Sequence, residues 1–271
     1  MAVITMLNLK GGVGKSTCTF HLGCTLATTG RRVLLVDNDP QTSLTQGVWG
    51  PEATAALDPS TTIAAVYAGD VPSAGQVIRP TGIAGVDLLP GSRLADQFNV
   101  PRPHLLDWEL QAALREVLDE ARPHYDLVLV DCPPNLYLAS WAAMVASDAI
   151  IVPCQCEDYG SQGLEFVRES LALVLAGANP RLVPLGLVLT MVAPRRALHQ
   201  AYEQKLRTEY GPAVFEATIP HAAELPEATS LRRPIHKHKP KGGAAKAFAA
   251  LAAEVLERLE AQGLAGQGVA A

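Results

Sequence analysis

Apolar residues in this chain gather in short continuous runs. Ala2-Val3-Ile4-Thr5-Met6-Leu7, Arg32-Val33-Leu34-Leu35-Val36-Asp37 and Asp126-Leu127-Val128-Leu129-Val130-Asp131 each have the length of a strand. A strand with apolar side chains on both faces is buried on both faces, as in a parallel sheet. Similar runs predict strands at 149–153, 184–190 and 213–220. Between them the spacing turns helical. Phe20, Leu22, Cys24, Leu26 and Ala27 cover one side of a helix over 16–29, with Gly30 suited to its C-terminal cap. Leu106, Leu110, Ala113, Leu114, Val117 and Leu118 form a stripe over 105–121, with Pro123 beyond its end. Helices are also predicted at 139–146, 163–176, 198–210 and 242–262. Residues 47–104 are the least regular. They read as an extended loop region over the sheet, with a short helix at 62–67 and a short strand at 86–90. The alternation predicts an α/β fold: a doubly wound, mostly parallel sheet with helices on both faces. Right-handed crossovers place the loops after the strands on one edge, where a ligand binds. Residues 1–271 read as one domain, with a folded core at 1–262 and a flexible tail at 263–271.

Composition narrows the class. The chain has 271 residues, 48% of them hydrophobic, enough for one large core and too apolar for disorder. The net charge of −5 gives no global nucleic-acid signature, so contact with DNA or an anionic membrane requires a local basic patch. The first apolar run is too short for a secretory leader, and no run of about 18 apolar residues predicts a membrane span. A cytoplasmic location is expected. Cys18, Cys24, Cys132, Cys154 and Cys156 show no spaced framework and read as free thiols. Cys154-Gln155-Cys156 has no matching second pair for a metal.

The chemistry centres on Asn8-Leu9-Lys10-Gly11-Gly12-Val13-Gly14-Lys15-Ser16-Thr17, between a strand and a helix. Glycines turn backbone N–H groups inward, and the helix offers the positive end of its dipole. Lys15 adds a cation and Ser16 a hydroxyl able to bind Mg²⁺, which makes a phosphate cradle. Leu9 stands where the usual pattern has its first glycine, and Lys10 follows it. Two lysines on one short loop repel unless a polyanion such as a nucleoside triphosphate lies near them; alternatively Lys10 points to solvent or to another subunit's nucleotide. Asp131 ends an apolar strand and resembles a Walker B aspartate, which holds Mg²⁺ directly or through water. Asp37 and Asp39 are two apart, so one can face the metal and the other the attacking water; either could instead cap a helix. An ordinary aspartate is a weak base, so Asp39 orients water more than it deprotonates it, and turnover is slow.

Together these residues resemble the ParA-type partition ATPases, within the deviant Walker A group of P-loop NTPases that also contains MinD. The matching motifs are Lys10 to Thr17, Asp37-Asn38-Asp39-Pro40-Gln41, Tyr125 to Pro134, Gln155-Cys156-Glu157 with Gly163-Leu164, Thr190-Met191 and Thr218-Ile219-Pro220. Leu225, Glu227-Ala228, Pro234-Ile235 and Lys241-Gly242 fit the partition branch. The resemblance implies ATP and Mg²⁺ as cofactors. It places the phosphates on Gly11, Gly12, Val13, Gly14, Lys15, Ser16 and Thr17, with Mg²⁺ on Ser16, Asp39 and Asp131. Thr190 and Pro220 would border the adenine. Lys10 would reach the partner's nucleotide in an ATP-bound homodimer, and Asp39 would be the switch aspartate for hydrolysis. It further implies non-specific DNA binding on the nucleoid and a ParB-like, centromere-bound partner that stimulates hydrolysis. One departure stands out. Many relatives carry DNA-contacting arginines after Ile219-Pro220, where this chain has His221-Ala222-Ala223-Glu224. The nearby basic residues are Arg195, Arg196, Arg232, Arg233, Lys237, Lys239, Lys241 and Lys246. The glycine loop begins almost at Met1, so no preceding operator-reading module is expected. Two competing readings remain: a MinD-like membrane-surface ATPase, whose basic tail helix is missing here, and a metabolic ATPase on the same scaffold.

Overall fold

The computed structural model describes residues 1–69, 72–156 and 160–264. Glu157, the surroundings of Gly163, the side chain of Leu164 and the tail from 265 onward lie outside the described residues. The strands are β1 (Ala2–Met6), β2 (Val33–Asp37), β3 (Arg79–Ile83), β4 (Val86–Leu89), β5 (Leu127–Asp131), β6 (Ala149–Gln155) and β7 (Val183–Thr190). They form one sheet in the order β3-β4-β2-β5-β1-β6-β7, parallel throughout except for β3. The helices are α1 (Lys15–Ala27), α2 (Ser43–Trp49), α3 (Pro51–Ala55), α4 (Ile63–Tyr67), α5 (Ala74–Val77), α6 (Trp108–Ala121), α7 (Leu138–Ala146), α8 (Gly160–Leu173), α9 (Ala197–Tyr210), α10 (Glu224–Ser230), α11 (Ile235–His238) and α12 (Gly243–Ala261).

The continuous apolar runs bury both faces, as their sequence implies. Leu34, Val36, Val128 and Val130 join one core with α4, α6 and α7. Val33, Leu35, Leu127 and Leu129 join the other with α1 and α12. Helix α1 lies so close to the sheet that a Cβ on Gly23 would stand 2.5 Å from the Leu35 side chain. β1 sits between β5 and β6, so the loop after it opens at the centre of the sheet's C-terminal edge.

Two expectations change. Residues 47–104 extend the sheet as well as covering it: β4 pairs in parallel with β2, and β3 adds an antiparallel edge. Pro80 and Gly82 hide β3 in the sequence, yet a proline is tolerated on an edge strand and a glycine beside a register shift. Residues 213–220 form no strand: Val214 makes an isolated bridge to Leu187 of β7 and Pro220 one to Val192 beyond it, and the N–H groups of Phe215 and Ile219 donate to Leu187 O and Leu189 O, each at 2.8 Å. The reason is competition for backbone donors. The N–H groups of Glu216 and Ala217 donate to the Glu254 carboxylate on α12, at 3.0 and 2.9 Å. At the chain's far end Gly263 takes a φ of 68° and the Leu264 N–H donates to Leu259 O at 2.8 Å, closing α12.

Candidate functional site

The loop 8–14 is held from below by the side chains of Asn8, Gln155 and Thr190. Asn8 Nδ2 donates to Pro153 O at 2.6 Å, and Asn8 Oδ1 accepts from the Lys10 N–H at 2.9 Å. Thr190 Oγ1 donates to Val13 O at 2.8 Å, and Gln155 Nε2 donates to Gly12 O at 3.2 Å. Gly12 and Gly14 have φ of 74° and 87°, the left-handed conformations that glycine reaches without strain. Gly14 caps α1 without a side-chain hydrogen bond, and the first turn of α1 carries no acidic residue. The first N–H groups of α1 are therefore open to an anion.

Lys15 is buried, and its Nζ donates to Asn8 O at 3.0 Å and to Lys10 O at 3.2 Å. Burial lowers its pKa; Asp131, Cys132 and Asp39 oppose that by charge. Around it converge the strand-end carboxylates. Asp37 and Asp131 lie directly opposite one another on β2 and β5. Asp131 is fully buried, and neither of its oxygens has a hydrogen-bond partner. Burial first, and Asp37 second, lift its pKa well above the carboxylate range. The Ser16 hydroxyl pulls the other way without a well-formed hydrogen bond to either oxygen.

The two aspartates of the 37–39 segment differ in employment. Asp37 Oδ2 accepts from Thr45 N at 2.7 Å and Thr45 Oγ1 at 2.6 Å, which anchors α2. A Cβ on Gly91 would stand 2.8 Å from the Asp37 carboxyl carbon, so the contact closes around it. Burial, opposed by the Thr45 bonds, pushes Asp37 up to about 7. Asp39 Oδ1 accepts from Gln41 N at 2.9 Å, and burial raises its pKa also. Thr42, just beyond, has φ of 58°, a costly conformation for a β-branched residue.

An apolar cleft of about 370 Å³ opens beside the loop, between Gly14, Thr17 and Cys18 on one side and Thr190, Met191 and Pro220 on the other. The structure thus brings Gly14, Thr17, Thr190 and Pro220 together around one cleft. Met191, in the matching Thr190-Met191 motif but given no role by it, also lines the cleft, held at φ of 52° with its sulfur accepting from Gln155 Nε2 at 2.7 Å. Asn8, Gln155 and Thr45 also went unassigned in the sequence. Asn8 belongs to the glycine-loop stretch, but nothing local betrays its bond to Pro153. Among the described residues no group of three or more His, Cys, Asp or Glu is placed to hold a metal, and all five cysteines are free.

The basic residues divide. Arg232, Arg233, Lys237, Lys239 and Lys241 share the α10–α11–α12 connection, whereas Arg195 and Arg196 precede α9. Arg232 packs its guanidinium against Gly50 and leaves no room there for a Cβ. Lys239 pairs with Glu227 at 3.4 Å and Glu224 at 4.0 Å. Arg195, Arg196, Arg233, Lys237 and Lys241 are exposed. Glu224, in the run without arginines, serves the fold: its Oε1 accepts from Ala244 N at 2.8 Å at the start of α12. No helix among the described residues is long and apolar enough to cross a membrane.

A family profile described as an AAA domain matches residues 1–183. The chain is 37% identical to the chromosome-partitioning ATPase Soj of Thermus thermophilus, over 95% of this chain and 96% of that one. It is 34% identical to the chromosome partitioning protein ParA of Caulobacter vibrioides, over 95% of each. Its fold is similar to that of cobyrinic acid a,c-diamide synthase from Mycobacterium smegmatis with bound ATP analogue and magnesium, at a TM-score of 0.80 and 25% identity over 96% of each chain. With the cradle, the paired strand-end aspartates and this full-length similarity in place, the chain belongs to the ParA-type partition ATPases of the deviant Walker A P-loop family.

Proposed function

We propose that this chain is an ATP-driven DNA-partitioning switch of the cytoplasm and nucleoid, moving a plasmid or a chromosomal region. ATP and Mg²⁺ bind at the 11–17 cradle, and two copies close on each other around their nucleotides. The dimer holds DNA without sequence preference, and a ParB-like partner stimulates hydrolysis and releases it. Chain-length similarity to partitioning ATPases supports the general role.

One structural observation carries the switch. Helix α2 begins shortly after Asp39 and packs on the basic connection: a Cβ on Gly47 would lie 3.4 Å from Thr229 of α10, and Arg232 lies against Gly50. A rearrangement of the 39–42 segment therefore has a direct mechanical route to Arg232 and Arg233. The strained Thr42 makes that segment a fitting place for two conformations.

The residues fit the cofactors. The open N-terminus of α1, Lys15 and the Gly11–Gly14 backbone suit the phosphates. The unpartnered Asp131 carboxylate and the Ser16 hydroxyl would hold Mg²⁺, with Asp39 alongside. An incomplete protein shell suits Mg²⁺, which keeps waters and takes phosphate oxygens. Bound there, the ion would neutralise charge building on the phosphates. Burial of Asp39 raises its basicity, which favours it as acceptor for the attacking water. Lys10 serves the nucleotide of the second copy, and Thr190 and Pro220 border the adenine.

The test is DNA retention with ATP, with ADP and without nucleotide, at several salt concentrations. Retention confined to ATP and falling with salt supports the switch; equal retention in all three states overturns it. An ATP-dependent ligase is the second reading, favoured by the similarity to the Mycobacterium smegmatis synthase. ATP turnover by purified protein without any small-molecule acceptor counts against it.

A further inference from the structure

Asn38 lies between Asp37 and Asp39 and is 1% exposed. A buried amide is costly unless its polar atoms are bonded. Here they are, and each bond leads to a different element. The Asn38 backbone N–H donates to Asp131 O at 3.0 Å. Its Nδ2 donates to Ala139 O at 2.7 Å, in the first turn of α7. Its Oδ1 accepts from the Tyr67 hydroxyl at 2.9 Å, at the end of α4. Tyr67 is 3% exposed, and burial holds its hydroxyl neutral, as a donor.

This arrangement joins the segment carrying Asp39 to the segment that follows Asp131. Residues 132–137 run from β5 to α7 through Pro133 and Pro134. Their far end is tied to Asn38 through Ala139, whose own N–H donates to Asn99 Oδ1 at 3.1 Å. The peptide preceding Asp39 is thus fixed on the Walker B side, while the Asp39 carboxylate itself has the bond from Gln41 N. The least regular part of the sequence, 47–104, supplies the hydroxyl that completes the tie.

We propose that Asn38 and Tyr67 are a positioning pair for hydrolysis: through the Asn38 amide they hold Asp39 in register with Asp131. The pair touches neither the phosphate cradle nor the apolar cleft, so it governs turnover and leaves ATP binding alone. The inference rests on the ATPase reading given above.

Steady-state ATP turnover with Mg²⁺, measured well below the unfolding temperature, tests it. Tyr67→Phe removes one oxygen and keeps the ring. The expected result is a kcat about five- to tenfold lower, the loss of one well-placed hydrogen bond, with KM for ATP within about twofold of the unsubstituted chain. Asn38→Ala should show the same split. The double variant Asn38→Ala/Tyr67→Phe should be no slower than Asn38→Ala alone, because the tie breaks once. A merely structural bond would lower thermal stability and leave kcat at low temperature unchanged; that result overturns the pair. So would parallel changes in kcat and KM, or additive losses in the double variant. The unsubstituted protein is assayed alongside: if it shows no turnover, the ATPase reading itself fails and the pair's role with it, whereas normal turnover with an unaffected Tyr67→Phe rejects the pair alone.

Discussion

The ammonium of Lys15 donates to the backbone carbonyl of Asn8 at 3.0 Å, so the loop's own lysine bonds the loop. Burial already disfavours that charge. Lys15→Met should therefore alter the stability of the nucleotide-free protein by no more than about 1 kcal/mol, the net worth of a typical hydrogen bond. Its effect on ATP should be far larger. Charge-assisted bonds to phosphate contribute about 1.5–3 kcal/mol, roughly 10- to 150-fold in Kd. Thermal unfolding with and without MgATP checks both: the variant should melt near the unsubstituted protein without nucleotide and lose the nucleotide-induced shift. A retained shift would remove Lys15 from the phosphate site.

Asp39 and Lys10 should separate the two halves of the cycle. Asp39→Ala removes the acceptor proposed for the attacking water and leaves the cradle intact. It should bind ATP, halt turnover and accumulate as a dimer in size-exclusion chromatography. Lys10→Ala should bind ATP nearly as well and yet fail both to dimerise and to hydrolyse. Unchanged turnover in Lys10→Ala would falsify its role across the dimer, and a monomeric Asp39→Ala with ATP would argue against the switch assignment.

Of the basic residues, the exposed ones on the α10–α12 connection are the best placed to feel α2. Arg233→Glu and Lys237→Glu should each weaken ATP-dependent DNA retention for every sequence alike. Each lost phosphate contact should reduce the slope of log affinity against log salt by about 1. Lys239→Glu should weaken it less, since Lys239 already faces Glu227 and Glu224. Filter binding across a salt series decides the order. Equal slopes for all three variants and the parent would move the DNA surface elsewhere, with Arg195 and Arg196 next in line.

The sequence discloses what is local. Gly11 to Thr17, Asp39 and Asp131 each sit at the end of an apolar run, and their chemistry follows from neighbours one to four residues away. The parallel core is equally plain, because both-face burial leaves an unbroken apolar run. What stays hidden depends on contacts distant in sequence. Nothing near Tyr67 points to Asn38, and nothing in 213–220 shows that Glu254 takes the N–H groups a strand would need. The absence of arginines at 221–224 is visible in the sequence, but the employment of Glu224 at the start of α12 is not.

His21, fully buried in α1, should make stability depend on pH. Its Nδ1 accepts from Ile235 N at 3.2 Å, which places the ring proton on Nε2. Phe20 and Phe248 flank the ring at 4.9 and 5.4 Å between centroids. Burial first, then the charge of His236, pushes His21 down to about 3, with His238 acting in the same direction and the Leu225 carbonyl in the other. The folded chain thus keeps the imidazole neutral where the unfolded chain, with a pKa of about 6.5, takes up a proton. The unfolded state binds more protons between these values, so this residue's contribution is complete above about pH 6.5 and is lost as pH falls toward 3. The loss approaches about 1.4 kcal/mol per pH unit. Asp37, raised to about 7, has the opposite slope over part of that range in both proteins, so a single pH profile hides the His21 effect and only the difference between the two profiles isolates it. The comparison is therefore with His21→Gln, which removes the titration and retains an acceptor. Urea unfolding at pH 7.5, 6.5 and 5.5 should show the variant less stable at the highest pH, with the gap closing steadily toward the lowest. A constant gap would mean that folding leaves the pKa of His21 unshifted, and a gap widening toward low pH would mean that the fold holds the ring protonated.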